Sequence, residues 1–374
     1  MKFILAIIIF GQALILCAQP LQNRILIARS YDGLNFQKLN LVFCDSADVP
    51  DAIIGPSGAV YVYYQGLITP WIDGIKVAIS DNGIDGWQHF QVNIPNTNWP
   101  GKPCDPDVVM FGDTFRLYFT GDPINDGKPE TYSAVSLDGI NFTRENGIRF
   151  EVAGYPVLDP SLLWTQDTLQ YFAGGAPQNY NWHAHSTDGL NFIPQPNFNI
   201  NNLMLANGIA LNTGGYRFYC FSNQPIDRNI RSIYSTTGQT WMLESGYRLL
   251  YDSTNLLEYL YVKDPAVVFK DSIYLMYYVT RKRNVGIEQN TVNCDEVSFA
   301  YLPSPAKKPV IILSPSLKNR SIKVKIYNPL GKLIKEVYLP YQERLNISIS
   351  EKGIFFITVE SANTRLTRKV IVVD

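Results

Sequence analysis

Five times along the chain a serine opens the same short phrase. The copies read Ser30-Tyr-Asp-Gly-Leu-Asn-Phe36, Ser80-Asp-Asn-Gly-Ile-Asp-Gly-Trp87, Ser136-Leu-Asp-Gly-Ile-Asn-Phe142, Ser186-Thr-Asp-Gly-Leu-Asn-Phe192 and Ser235-Thr-Thr-Gly-Gln-Thr-Trp241. Successive serines lie 50, 56, 50 and 49 residues apart. A period near fifty is that of a four-stranded propeller blade, and Asp-Gly between β-rich runs is a hairpin signal. The aromatic that closes each phrase is placed to pack between blades. The repeat therefore predicts an all-β fold, a five-bladed β-propeller, before any chemistry is considered.

A second series runs between the phrases: Pro50-Asp-Ala-Ile-Ile54, Asp105-Pro-Asp-Val-Val109, Asp159-Pro-Ser-Leu-Leu163, Asn207-Gly-Ile-Ala-Leu211 and Asp264-Pro-Ala-Val-Val268. Each is followed by a turn and an aromatic strand such as Val60-Tyr-Val-Tyr-Tyr64 or Phe115-Arg-Leu-Tyr-Phe119. One unit thus reads as inner strand, hairpin, aromatic second strand, third strand and serine turn. The segment 23–40 precedes the first inner strand and is expected to close the ring against the last blade, which removes exposed edges. In a propeller the innermost strands line the axis. Asp51, Asp105, Asp159, Asn207 and Asp264 are therefore expected to form one ring at a mouth of the channel. Asp is depleted in strand interiors and unpaired buried carboxylates are costly, so such a ring asks for a reason. The structural alternative is that Asp-Pro simply starts each strand and bonds nearby amides.

The ends of the chain differ from its middle. Lys2, the apolar run 3–16 and Cys17-Ala18-Gln19 read as a secretory signal peptide over residues 1–19. No later apolar run is long enough for a membrane span. Cys44, Cys104, Cys220 and Cys294 are scattered without CxxC spacing, so thiols rather than a metal site are expected. After residue 306 the chain holds 13 Lys/Arg against 5 Asp/Glu, which leaves the main body acidic within an overall charge of −1. An acidic main body argues against a nucleic-acid partner. The proline-rich stretch 303–309 coincides with this shift, and short alternating runs follow it, as expected for a small Ig-like β-sandwich. The expected division is a propeller over 20–303, a linker over 304–312 and a terminal domain over 313–374.

Those terminal residues carry a resemblance. The run Val324-Lys-Ile-Tyr-Asn-Pro-Leu-Gly-Lys-Leu-Ile334, then Leu345-Asn-Ile347, Lys352-Gly-Ile-Phe-Phe-Ile-Thr-Val359 and Arg368-Lys-Val-Ile371 resemble the C-terminal sorting domain of type IX secretion substrates. The resemblance implies export, to the medium or the outer-membrane surface, with the type IX machinery as a partner.

Over roughly residues 45–303 the blade count, Asp-Pro strands and serine turns resemble the furanosidase-type glycoside hydrolases, the arabinanase, β-xylosidase and invertase superfamily. Carried over by position, the resemblance implies Asp51 as general base or nucleophile and Asp105 as the group that orients the acid and sets its pKa. The family's third-blade glutamate has no counterpart here. Asp159 stands in that strand as the candidate acid, with Glu130 and Glu258 as loop alternatives. Glycosidic cleavage needs one carboxyl kept protonated near neutral pH, which neighbouring like charges promote. Trp99, Trp182, His183, Asn207, Tyr259 and Asp264 are the expected substrate-binding residues, with Trp71, Tyr180 and Tyr261 nearby. His183 and His185 share a strand face but lack a third ligand, so neither metal nor other cofactor is expected.

Two functions follow as alternatives: a secreted glycoside hydrolase acting on an oligo- or polysaccharide, or a non-catalytic propeller that binds glycan or protein. A sialidase-like reading of the serine turns ranks below both, because it asks for six blades and an arginine triad. A monomer is expected.

Overall fold

A computed structural model of the protein describes residues 23–68, 71–222, 227–283, 300–301, 309–313, 317, 319–342, 344–349, 351–361 and 364–373. The expected signal peptide, Cys17, Cys294 and most of the proline-rich stretch lie outside them. Among the described residues, strands form five four-stranded antiparallel sheets before residue 282. Blade 1 comprises Ala47–Ile54, Val60–Ile68, Trp71–Ser80 and Gln88–Gln91, and blade 2 comprises Gly101–Phe111, Thr114–Asp122, Glu130–Ser136 and Thr143–Arg144. Blade 3 comprises Leu158–Thr165, Thr168–Gly174, Asn181–Ser186 and Ile193–Phe198. Blade 4 comprises Met204–Ala210, Tyr216–Phe221, Arg231–Ser235 and Met242–Leu243.

Blade 5 is assembled from both ends of the propeller. Lys263–Lys270 and Ile273–Arg281 supply its inner half, and Asn23–Ser30 and Gln37–Asp45 supply its outer half. The seam runs from Asn23 opposite Arg281 to Ser30 opposite Tyr274 without a break in register. A buried ion pair pins the returning hairpin: Arg24 Nη2 lies 2.7 Å from Asp45 Oδ1, with Nε donating to the same oxygen at 2.8 Å. Each inner strand touches its neighbours around the ring, and that of blade 5 touches that of blade 1.

The core is divided into interfaces between adjacent blades. Between blades 1 and 2, Tyr63, Val77 and Phe90 meet Phe115, Leu117 and Phe119. Equivalent apolar clusters separate each other pair of neighbours. Each fully buried side chain of this kind contributes roughly 1.5–3 kcal/mol.

The serine phrases turn out to be latches between blades. Within one copy, Ser186 Oγ donates to Asp188 Oδ1 at 2.9 Å and accepts the Gly189 amide at 2.9 Å. Asp188 Oδ1 in turn accepts the Leu190 and Asn191 amides, both at 2.8 Å. This exposes the glycine carbonyl to the preceding blade. Tyr63, Tyr118, Tyr219 and Tyr277 hydroxyls donate to the carbonyls of Gly139, Gly189, Gly33 and Gly83 at 2.7–2.8 Å. Gly189 sits at φ +70°, and a Cβ there would lie 2.6 Å from the Tyr118 hydroxyl. Only glycine fits that position. Blade 3 breaks the pattern, since Phe172 stands where the others have tyrosine.

Beyond the propeller, Ala300–Tyr301, Val310–Leu313 and Arg344–Asn346 form one sheet. Leu333–Pro340, Ser321–Tyr327, Gly353–Ser361 and Thr364–Val372 form the other. Alternating residues such as Ile322, Val324 and Ile326 point inward to meet Leu345, Ile357, Val359 and Val370. Among the described residues strand pairing of this unit begins at Ala300, and residues 310–312 of Val310–Leu313 fall within the span expected as linker.

Candidate functional site at the propeller axis

The five axial residues picked from the sequence do not form one ring. Pairing with the latch strand sets the true register: Asp51, Asp107, Ser161, Asn207 and Ala266 stand opposite Tyr63, Tyr118, Phe172, Tyr219 and Tyr277. Two residues earlier stand Val49, Asp105, Asp159, Leu205 and Asp264. Asp51 and Asn207 therefore belong to a deeper level, whereas Asp105, Asp159 and Asp264 belong to an outer one. Proline separates the levels in four blades (Pro50, Pro106, Pro160 and Pro265), with Ala206 in the fourth blade. A break in strand register accompanies this step in every blade. The residue before each proline is left-handed, with φ of 43° at Val49, 50° at Asp105 and Asp159, and 41° at Asp264. Such backbone costs about 1–3 kcal/mol per residue, and a β-branched valine is a marked outlier there.

The deeper level straps blades together. Asp51 Oδ2 accepts the Val108 amide of blade 2, and its Oδ1 accepts Asn207 Nδ2 of blade 4, both at 2.8 Å. Asn207 Oδ1 accepts the Val267 amide of blade 5 at 2.8 Å. Burial raises the Asp51 pKa to about 6 against the opposing pull of Val108 and Asn207. Asp107 is 2 % exposed and its Oδ1 has no hydrogen-bond partner among the described residues. Burial, then the charge of Asp51, pushes it well above the usual carboxylate range, with the Leu162 amide opposing. Asp51, Asp107 and Asn207 line the polar end of an axial cavity of about 310 Å3 whose other walls include Leu162, Ile209 and Val267.

The outer level crowds three carboxylates. Asp159 and Asp264 line a recess of about 20 Å3 framed by Pro50, Pro106 and Pro160. Burial, then the charges of Asp105 and Asp264, raises Asp159 well above its ordinary value. Asp105 is likewise raised by burial, opposed by the Thr120 hydroxyl and by the Asp159 amide at a long 3.5 Å. Asp264 is raised by burial to about 6 although Lys263 Nζ lies 2.5 Å from its Oδ2. Lys263 also reaches Asp48 at 3.5 Å, and Asp48 accepts Asn23 Nδ2 at 2.6 Å. Despite the opposing effect of burial, Asp264 and Asp48 hold the lysine well above its usual pKa.

The remaining predicted residues are dispersed. Trp99 packs between blades against Phe119 and Tyr132. Trp182 is 7 % exposed, and its indole N–H donates to the Pro156 carbonyl at 3.1 Å. His183 stacks on Phe172 with ring centroids 4.5 Å apart and hydrogen-bonds with Gln170 at 3.1 Å. Burial, then His185, lowers its pKa to about 4. Tyr259 is 40 % exposed, with the Arg283 guanidinium 5.8 Å from its ring centroid. Glu258 is fully buried and accepts from Lys38 at 2.7 Å and the Tyr278 hydroxyl at 2.9 Å, while Glu130 accepts from Tyr132 at 3.2 Å. Asp107 and Lys263 escaped the sequence reading. Aligning the prolines rather than the first acidic residue of each run would have exposed Asp107. Among the described residues, no group of three or more His, Cys, Asp or Glu side chains is disposed to hold a metal, and no helix is long and apolar enough to cross a membrane.

Residues 300–373 match the family described as the secretion system C-terminal sorting domain. Among solved structures, the chain is similar to a thermostable family-43 glycoside hydrolase, with a TM-score of 0.51 and 17% identity over 66% of this chain and 97% of that one. It is also similar to CoXyl43, a β-xylosidase/α-arabinofuranosidase from a compost microbial metagenome, with a TM-score of 0.50 and 15% identity over 67% and 95%. At these identities the likeness establishes the fold. No curated protein matches the chain. The chain thus joins a five-bladed β-propeller to a sorting domain that directs export to the cell surface or the medium.

Proposed function

We propose that the protein is an exported glycosidase-like enzyme that works at the outer carboxylate level, not the deeper one. The observation that carries this reading is that Asp159 and Asp264 share one recess in unlike electrostatic settings. Asp159, crowded by two carboxylates, keeps its proton at neutral pH and serves as general acid toward the glycosidic oxygen. Asp264, beside Lys263, is ionised at neutral pH and serves as base or nucleophile. Such a split between neighbouring carboxyls is what acid/base assignment requires. Asp105 raises the acid's pKa, and Asp51 positions the strands beneath. The names of the similar structures make arabinofuranosides and xylosides the first substrates to assay, with fructans and mannans beside them. Product formation would be followed by chromatography. Asp159→Asn and Asp264→Asn are each expected to lower kcat by about 100-fold or more, and full activity in either variant sinks the assignment. In the wild type, kcat should rise with pH through about 6 as Asp264 ionises.

One observation favours a second reading. The recess of about 20 Å3 holds little more than a water-sized group. A propeller that binds glycan without cleaving it fits that narrowness, and it predicts retention on a glycan array with no released product.

A further inference from the structure

A second pocket lies away from the axis, in the cleft between blades 1 and 2. It encloses about 220 Å3 and is lined by Asp73, Asn93, Thr97, Asn98, Trp99 and Lys102, among others. We propose that this cleft is a separate carbohydrate-binding site that holds one neutral sugar ring of a glycan independently of the axial carboxylates.

The chemistry of the walls points to a polyol. A sugar presents hydroxyls that both donate and accept, and a C–H face that packs on an aromatic ring. The cleft offers a carboxylate, three amide side chains, an ammonium and a single indole. Its polar groups are held in place. Asp73 lies 3.4 Å from Lys76 Nζ and 3.7 Å from Lys102 Nζ. The Thr97 hydroxyl donates to the Ile94 carbonyl at 2.7 Å, which leaves its oxygen free to accept. Gln91 Nε2 donates to the Ile75 carbonyl at 2.9 Å and steadies the floor. The indole is equally fixed. Trp99 rests against Tyr132 at 4.8 Å between centroids and lies over Gly121, where a Cβ would come within 2.4 Å of its ring. A glycine at that strand position is thus what lets the indole lie there. Preorganised polar groups around one aromatic wall form a binding site rather than a packing defect.

Charge selects the ligand class. Among the lining side chains the one carboxylate, Asp73, is balanced by the one ammonium, Lys102, so the walls carry no net charge and a neutral sugar is favoured over an anion. The pocket sits at the same end of blade 2 as Asp105: Lys102 is three residues before it on the same strand, roughly 10 Å at strand rise. A glycan held in the cleft therefore lies beside the axial mouth without needing it.

Titration of the full chain with neutral arabino-, xylo-, fructo- and manno-oligosaccharides tests this, read by calorimetry and tryptophan fluorescence. Asn98 and Lys102 stand at the exposed rim, so Asn98→Ala and Lys102→Met keep the fold; Trp99→Phe keeps an aromatic wall. Each is expected to weaken binding by about tenfold, whereas the Asp159→Asn/Asp264→Asn double variant should bind within about twofold of wild type. Binding that is lost in the axial double variant and unchanged in the rim variants overturns the proposal and places the ligand at the mouth. Absence of binding to the whole panel overturns it as well. The axial single variants are read for turnover, and the rim variants and the axial double variant for affinity, so failure of one reading leaves the other standing.

Discussion

Asp107 lines the axial cavity beside Asp51, and its buried Oδ1 has no hydrogen-bond partner among the described residues. Its protonation follows from this setting. A carboxyl whose pKa is raised by folding holds a proton that the unfolded chain has already lost, so the native state is progressively disfavoured as pH rises through that window. Asp51 and Asp264 act in the same sense between about 4 and about 6. Asp188 acts oppositely: the amides of Asn191 and Leu190 hold it below the usual carboxylate range, so its contribution is present at neutral pH and lost in strong acid. The melting temperature should therefore peak at mildly acidic pH and fall toward neutrality. Asp107→Asn removes a buried ionisable group at nearly constant shape, so it should raise the melting temperature at pH 7 and flatten the slope above the ordinary carboxylate range. A pH series of thermal melts on both proteins checks this, and an unchanged slope would count against Asp107.

At the scale of elements, the latch and the hairpin clasp carry the predictions. Removing the Tyr118 hydroxyl leaves the Gly189 carbonyl of blade 3 unpaired in the interior. Tyr118→Phe should then cost about 1–3 kcal/mol in denaturant unfolding. Blade 3 already carries phenylalanine at the equivalent position, so Phe172→Ala should report only on packing there. Arg24→Ala removes the buried partner of Asp45 and leaves it the longer pair with Lys282 at 3.6 Å, so its expected cost lies at or below the low end of the roughly 3–5 kcal/mol of a broken buried pair. These elements also show what was legible in the sequence. The serine phrase could be read because its geometry is local: serine, aspartate and glycine within four residues make their own bonds. The axial strands could be found but not aligned. Acidic residues occur on both sides of the proline in blade 2, before it in blades 3 and 5 and after it in blade 1, and blade 4 has no proline. A two-residue offset keeps every side chain on the same strand face, so alternation gave no warning. The aromatics misled for a different reason. Trp182 and His183 belong to the interfaces between blades, and their spacing is the same whether a strand faces a neighbour or a ligand.

For the whole molecule, closure is the central fact. The outer half of blade 5 comes from residues 23–45 and the inner half from residues 263–281. Removing residues 23–45 should expose the Ile273–Arg281 edge and abolish the cooperative thermal transition, a loss readable by calorimetry. Sequence composition foretold two unlike parts. It did not reveal that the second begins pairing at Ala300, because the two-residue strand Ala300–Tyr301 is too short to carry a pattern.

The seam also sets an order of events. A chain made from its N-terminus holds its first hairpin without the rest of blade 5 until residue 281 exists, and only then can the ring shut. The export address follows, in residues 300–373. Any product broken off before the seam lacks the address as well, so ring closure and export signal are lost together on truncation.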